Sequence, residues 1–344
     1  MDADDCGLFE HHQLKLSIGI TMKALVVTQF GPQPQMAIEE RPIPAIKPGY
    51  TLVKVHAATV NPLSSQVSAG IVVTASAPVV LSNDGSGVVE QSDQFKLGAR
   101  VAIFGGGQLG ISEDGLQQQW VLVENKRIIE LPDEYDLDEG AALPINYVTA
   151  HQALTRVGRV EPGQTVLISG ASGALGHALI QTAVAMGATV IGVVSNAEKA
   201  KCARRSGAAT VIDLSSQNLK DAVLEATDGE GAHLAFDVVG GTILGQLLSA
   251  VRTRGAVVSI GFVGGMTANI DVADVVIYEK RVLGYDAWLE TDADVASALE
   301  SIQKHIAKGA LRPSIDSIFP MDQYAVAYQR LGSREATGTI LMRV

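Results

Sequence analysis

The chain has 344 residues, a formal net charge of −11 at pH 7, 47% hydrophobic residues and only 5% aromatic ones. That length implies about two domains, and an acidic balance with no block of Lys and Arg excludes a nucleic-acid-binding surface. Two cysteines, Cys6 and Cys202, exclude a disulfide framework and predict a reducing, cytoplasmic compartment.

Residues 1–21 open acidic and lack the basic start and apolar core of a signal peptide. They read as a disordered extension, with a metal role for His11 and His12 as the alternative, before a natural start at Met22. From Met22 to about Leu143, short strands alternate with turns: Lys23–Thr28, Thr51–Thr59, Gly85–Glu90, Arg100–Phe104 and Gln119–Glu124. Pro32, Pro34, Pro42, Pro44 and Pro48 divide the early strands, because proline cannot join a ladder. The pattern predicts an antiparallel, partly open barrel. A helix is predicted to start at the acids Asp136, Asp138 and Glu139 and to run on past Pro144 to Val157.

From Gly163 the period changes. Strands are predicted at Thr165–Ser169, Thr189–Val194, Thr210–Asp213, Leu234–Val238, Ala256–Ile260 and Arg281–Tyr285, with helices between them. That alternation is the pattern of a doubly wound parallel sheet, so the fold class is α/β. A helix at Asp292–Lys308, another around Asp322–Leu331 and a final strand at Gly338–Val344 do not continue it, and the tail is expected to return to the first domain. The expected domains are 22–145 with 286–344, and 146–285. No apolar run reaches the ~20 residues of a membrane-spanning helix without interruption by Pro, Gly, Asn or Ser.

Within the second domain, Thr165–Lys199 carries no charged side chain before Glu198. Gly170, Ala171, Ser172, Gly173, Ala174, Leu175 and Gly176 lie where a buried strand turns into an apolar helix. Such a turn offers free helix N–H groups, a positive dipole end and a backbone without Cβ atoms to a pyrophosphate. Ala171 stands where the strict GxGxxG fingerprint has its first glycine. About 20 residues past the turn, where an acid would bind a ribose 2′-hydroxyl, stand Ser195 and Asn196, and then Lys199. A hydroxyl and an ammonium suit a 2′-phosphate, and Glu198 lies slightly past the acid position.

Seven segments in order, including VNPLSSQVSAG (60–70), NDGSGVV (83–89), AALPINYVTAHQAL (141–154), VLISGASGALG (166–176), FDVVGG (236–241), GFVGG (261–265) and ATGTILMRV (336–344), resemble the medium-chain dehydrogenase/reductase superfamily. The likeness is to its zinc-independent, quinone oxidoreductase-like branch and spans Met22–Val344. It implies a GroES-like barrel domain plus a Rossmann domain. Zinc-dependent relatives carry a Cys within the segment matching Ala57–Leu63 and a His–Glu pair near Asn83–Asp84. This chain has neither, and tetrahedral zinc needs such donors, so no metal is expected. In the resembled family the Lys at position 199 contacts the 2′-phosphate, which implies NADPH as cofactor. A Tyr often found after the third strand is Leu214 here.

The resemblance further implies that Asn61 faces the nicotinamide cleft, that Thr149 lies by the nicotinamide ring, and that backbone at Val239, Gly240, Gly261, Phe262 and Val263 holds the nicotinamide amide and ribose. Tyr147 is the one phenol near these landmarks and the candidate proton donor, against a structural role in the core. Asp84 either orients a cleft residue or serves a turn. Gly105-Gly106-Gly107 follows a barrel strand without a βαβ unit and reads as a surface loop. His56, His151, His177, His233 and His305 form no ligand spacing. The expected function is hydride transfer from NADPH to quinones or other conjugated carbonyls. The alternatives are a reductase of activated C=C bonds and an NADPH-binding protein with little turnover. The Arg281–Tyr285 strand, as an open sheet edge, predicts a homodimer.

Overall fold

A computed structural model describes residues 21–344. The N-terminal extension, with Cys6, His11 and His12, lies outside the described residues. The first half contains β1 (Thr21–Gln29), β2 (Gln35–Pro42), β3 (Tyr50–Val60), α1 (Pro62–Ser68), β4 (Val79–Val80), β5 (Asp84–Ser92), β6 (Arg100–Phe104), β7 (Trp120–Glu124), β8 (Ile128–Glu130), α2 (Leu137–Ala142) and α3 (Pro144–Gln152). Then come β9 (Thr165–Ile168), α4 (Ala174–Ala185), β10 (Thr189–Val194), α5 (Ala197–Arg205), β11 (Thr210–Asp213), α6 (Leu219–Ala226), β12 (Ala232–Asp237), α7 (Thr242–Ala250) and β13 (Val251–Ser259). The chain ends with α8 (Val272–Val276), β14 (Arg281–Gly284), α9 (Asp292–Ala307), β15 (Ile315–Pro320), α10 (Tyr324–Gly332) and β16 (Thr339–Arg343).

The barrel half is two sheets. One has the order β2-β1-β4, and the other the order β15-β16-β3-β5-β6-β8 with β7 also on β3. β16 pairs antiparallel with β3 through Ile340–Val60 to Arg343–Ala57, so the C-terminal tail completes the sheet of the first half. β2 has no apolar alternation and is largely exposed, as an edge strand bounded by Pro34 and Pro42 must be. It therefore left no periodic signal in the sequence. Asp136 caps α2 by accepting from the N–H groups of Asp138 and Glu139, which fixes the helix start the acids predict.

The second half is a six-stranded sheet of order β11-β10-β9-β12-β13-β14, parallel throughout. Its central strands are buried on both faces, each face covered by helices. α9 packs on α3, and Ala298, Ile302 and Ile306 share a core with Val166 and Ile168. The order reverses between β9 and β12, and a crevice opens there at the carboxyl ends of the strands, where α/β sheets bind ligands. No helix among the described residues is long and apolar enough to cross a membrane.

Candidate active site

One cleft of about 2010 Å³ runs from the carboxyl edge of the parallel sheet to the β3 and β5 ends of the barrel. At its sheet end the chain turns from β9 into α4. Gly170 has φ +58°, and a Cβ on Gly176 would stand 2.1 Å from the Gly170 carbonyl oxygen. Only glycine at 176 lets α4 sit this close to the turn. Ala171 is fully buried, donates its N–H to Val193 O (3.2 Å) and packs toward Gly192, so this residue faces the sheet rather than the cleft.

Asn61, Asp136, Asn196, Asn218 and Asp271 cap the N-termini of α1, α2, α5, α6 and α8 with their side chains. α4 starts at Gly173 with no side-chain cap. Its first N–H groups and positive dipole end are left for a ligand, a fit to a dinucleotide pyrophosphate.

The neighbouring loops are fixed by a buried carboxylate. Asp237 Oδ1 accepts from Ser169 Oγ (2.7 Å), Val239 N (2.9 Å) and Gly240 N (3.1 Å). A Cβ on Gly240 would stand 2.7 Å from Phe262 Cα, so the loops after β12 and β13 touch backbone to backbone. Val239, Gly261, Phe262 and Val263 line the cleft, whereas Gly240 supports them from behind.

Ser195 and Lys199 line the cleft beyond the pyrophosphate end. Asn196 caps α5 by accepting from Lys199 N (3.0 Å), and Lys199 Nζ donates to the Arg334 carbonyl (3.3 Å). Arg334 and Leu214 lie on the same wall. Glu198, which follows the cap of α5, is exposed and paired with Lys201 (3.0 Å). Asp213 lies beside Val194 across the sheet, and Asp221 lines the cleft. Arg204 and Arg205 do not reach the cleft.

At the barrel end, Asn61 is the N-cap of α1 as well as a cleft residue. Its Oδ1 accepts from Ser64 N (2.9 Å) and its Nδ2 donates to Asn83 Oδ1 (3.0 Å) and Thr59 Oγ1 (3.1 Å). Asp84 lies beneath them, fully buried, rather than in the turn its sequence context allowed. It accepts from the Thr59 hydroxyl, from Ile145 N (3.2 Å) and from Asn61 Nδ2 (3.5 Å). Burial pushes its carboxyl up to about 7, and those three hydrogen bonds oppose the rise.

This donor set does not fit zinc. The two amides are spent on each other, and the carboxylate is saturated by protein donors. No His or Cys lines the cleft, and no group of three His, Cys, Asp or Glu with ligand geometry occurs among the described residues.

Thr149 lines the cleft between the two halves. Tyr147 does not. It is 1% exposed, its hydroxyl donates to Gln181 Oε1 (2.6 Å), and burial holds its phenol well above its ordinary value. Its proton-donor assignment is therefore corrected: α3 turns this residue inward, two positions from Thr149.

The phenol that does face the cleft is Tyr285, just past β14, and its hydroxyl donates to Glu290 Oε1 (2.5 Å). Thr149 lines the same cleft. Sequence reasoning missed this pair because both partners lie far from the motif and reach it only through the sheet edge. Trp288 was missed for the same reason. Its indole covers the Gly105–Gly107 loop, where a Cβ on Gly107 would come within 2.9 Å of the ring. That loop is a surface turn, with Gly107 exposed, and its Gly106 and Gly107 also form part of the cleft wall. The remaining histidines have structural partners or none in the cleft; His177, for example, bonds Ser206 Oγ (2.6 Å) and Arg312 O (2.7 Å).

Two protein families match this arrangement half by half: the alcohol dehydrogenase GroES-like domain over residues 47–133, and the zinc-binding dehydrogenase family over residues 174–304. The quinone oxidoreductase of Pseudomonas aeruginosa is 30% identical over 316 residues, covering 89% of this chain and 95% of that protein. A 2-haloacrylate reductase of Burkholderia sp is 28% identical over 336 residues, 94% of this chain and 99% of its own length. Among solved structures, an alcohol dehydrogenase superfamily protein from Novosphingobium aromaticivorans superposes with a TM-score of 0.84 at 28% identity, over 94% of this chain and all (100%) of its own. The uncapped glycine turn, the adjoining barrel and these full-length likenesses agree, and the chain belongs to the medium-chain dehydrogenase/reductase superfamily, in its quinone oxidoreductase-like branch, as a nicotinamide-dependent oxidoreductase.

Proposed function

We propose that this protein is an NADPH-dependent, zinc-independent reductase of quinones and other conjugated carbonyls. The observation that carries this reading is the composition of the cleft between the parallel sheet and the barrel. Ser195, Lys199 and Arg334 stand at the ribose end with Glu198 turned to Lys201, and at the far end amides and hydroxyls replace metal donors. When bound, the nicotinamide supplies hydride. The chain's own residues orient and exclude water. α4 and the Asp237-braced loops hold the cofactor, Asn61 and Thr149 flank the transfer region, and Trp288 with Phe104 walls an apolar acceptor pocket. Orientation is most of what such a transfer needs from protein.

The likeness to a 2-haloacrylate reductase favours a second reading, reduction of an activated C=C bond in the same pocket. A screen of NADPH oxidation over quinones, enals, enones and haloacrylates separates the two readings. Chelator is expected to leave the rate unchanged. Lys199→Ala is expected to raise the NADPH KM by about tenfold or more, a charged hydrogen bond being worth ~1.5–3 kcal/mol, and to leave the NADH KM alone. Equal effects on both cofactors refute the NADPH assignment.

Dimer formation through β14 belongs to the same proposal. Among the described residues no strand pairs with the outer edge of β14, and Val282, Val276 and Ile277 are exposed at 45%, 70% and 70%.

A further inference from the structure

Reduction of a conjugated carbonyl leaves negative charge on its oxygen, and the cleft as described has no assigned acid to meet it. Thr149, Tyr285 and Glu290 all line the cleft, and the Tyr285 phenol donates to the Glu290 carboxyl (2.5 Å). The three come from separate elements: Thr149 from α3, Tyr285 from the end of β14, and Glu290 from the turn before α9. Tyr285 is anchored by its backbone, whose N–H donates to Ser259 O (2.9 Å), next to the Gly261–Val263 loop.

We propose that Tyr285 is the catalytic proton donor of this site and that Glu290 reloads it. This inference rests on the reductase reading above. As hydride forms a C–H bond at the β-carbon of an enone, the C=C electrons move to the carbonyl oxygen. With Glu290 in its carboxylic acid form the hydrogen bond between them reverses, the carboxyl O–H donating to the phenol oxygen while the phenol O–H turns to the substrate. The Tyr285 O–H bond then breaks and an enol O–H bond forms. The Glu290 carboxyl O–H breaks in turn and restores the phenol, leaving a carboxylate that water in the cleft reprotonates after product leaves. For a quinone the same proton completes the hydroquinone.

Two titration directions agree with this order. Burial, with the Glu290 charge beside it, holds the Tyr285 phenol above its ordinary value, so it stays neutral. Burial also pushes the Glu290 carboxyl above the usual carboxylate range, with Asp294 and Asp286 adding to the rise and Tyr285 and Arg156 opposing it. Arg156 lies with its guanidinium 5.6 Å from the Tyr285 ring centroid. These are the charged groups facing Glu290 from the π-helical turn after α3, from its own loop and from α9.

The experiment compares wild type, Tyr285→Phe and Glu290→Gln. Tyr285→Phe is expected to lower kcat for enones and quinones by about 10²-fold, the usual range for a lost general acid, and to abolish the solvent deuterium isotope effect. Its NADPH Kd, read by fluorescence titration, stays within about twofold of wild type. In wild type kcat falls as pH rises through the Glu290 pKa, and Glu290→Gln removes that limb. In the protein without cofactor, carboxyl NMR is expected to show the Glu290 pKa rising further in Tyr285→Phe, because the phenol hydrogen bond is lost. A Tyr285→Phe kcat within about threefold of wild type, an unchanged isotope effect, or an unaltered pH limb in Glu290→Gln overturns the proposal while leaving the reductase reading intact. Wild type that oxidises no NADPH with any acceptor overturns both.

Discussion

Asp84→Asn isolates the most perturbed carboxyl near the site. Asp84 is fully buried, and its carboxyl is pushed from the ordinary 3.8 to about 7. The native state therefore binds this proton more tightly than the unfolded chain does. Between those two values the folded protein holds more protons than the unfolded one, so stability falls as pH rises across that window and levels off above it. At about 1.4 kcal/mol per pH unit, the full span from 3.8 to about 7 corresponds to about 4 kcal/mol of stability present in acid and absent above neutrality. Asparagine keeps the shape and cannot ionise. Its amide nitrogen meets Ile145 N, which donates to Asp84 Oδ2 at 3.2 Å, and two opposed donors add a constant cost of ~1–3 kcal/mol that does not vary with pH.

The assay is urea unfolding of both proteins at several pH values from about 5 to about 8. All other titrations cancel in the difference between wild type and variant. The wild-type advantage is expected to shrink by about 1.4 kcal/mol per pH unit up to about pH 7 and then to hold steady. Parallel profiles would refute the claim that Asp84 is buried at the cost of its ionisation. A wild-type advantage growing with pH would show a carboxylate stabilised by Thr59, Asn61 and Ile145 instead.

Gly176→Ala places a Cβ 2.1 Å from the Gly170 carbonyl oxygen, and neither backbone can yield without opening the turn. It is expected to cost ~1–3 kcal/mol of stability and to raise the NADPH Kd by about tenfold or more, both read by thermal shift with and without cofactor. Asp274→Ala strands Lys280, whose Nζ lies 2.8 Å from Asp274 Oδ1 with the side chains 6% and 7% exposed. Carbonyls of Leu248 (3.0 Å) and Ser249 (3.1 Å) remain, but they carry no countercharge. The expected loss is ~3–5 kcal/mol in the same thermal measurement, and a loss within experimental error would contradict it. Val282→Asp sets a charge on the exposed β14 edge and is expected to convert a dimer to a monomer in light scattering. A wild-type monomer would end the dimer proposal.

The parallel sheet was legible because strands buried on both faces must be continuously apolar, as Val166–Ile168 and Val190–Val194 are, and because crossover helices need glycine where they meet the turn. The C-terminal strand was legible from its apolar run, but its partner was not. Pairing β16 with β3 joins residues nearly three hundred positions apart, and no local period encodes such a register. β2 and β8 stayed hidden, one too exposed and the other too short to show a pattern. Tyr147 shows the opposite error. Its proximity to Thr149 in sequence suggested proximity in function, yet two residues along a helix turn a side chain by about 200°, which sends the phenol into the core.

By itself the sequence determined the glycine turn from a buried strand into an apolar helix, that Ser195 and Lys199 follow it where an acid could stand, and that zinc ligands are missing from the matching positions. Those properties depend on residue types within one strand–turn–helix or at one landmark, so short-range chemistry suffices. Only the tertiary structure decided which phenol faces the reaction. The edge of the parallel sheet, the turn after α3 that carries Arg156 and the loop before α9 converge to place Tyr285 in the cleft beside Glu290. Likewise, only folding set Trp288 over Gly107 and sealed Asp84 beneath Asn61. Each of these depends on surfaces that burial brings together from segments distant in the chain, a free energy that belongs to the whole core and is written in no single segment.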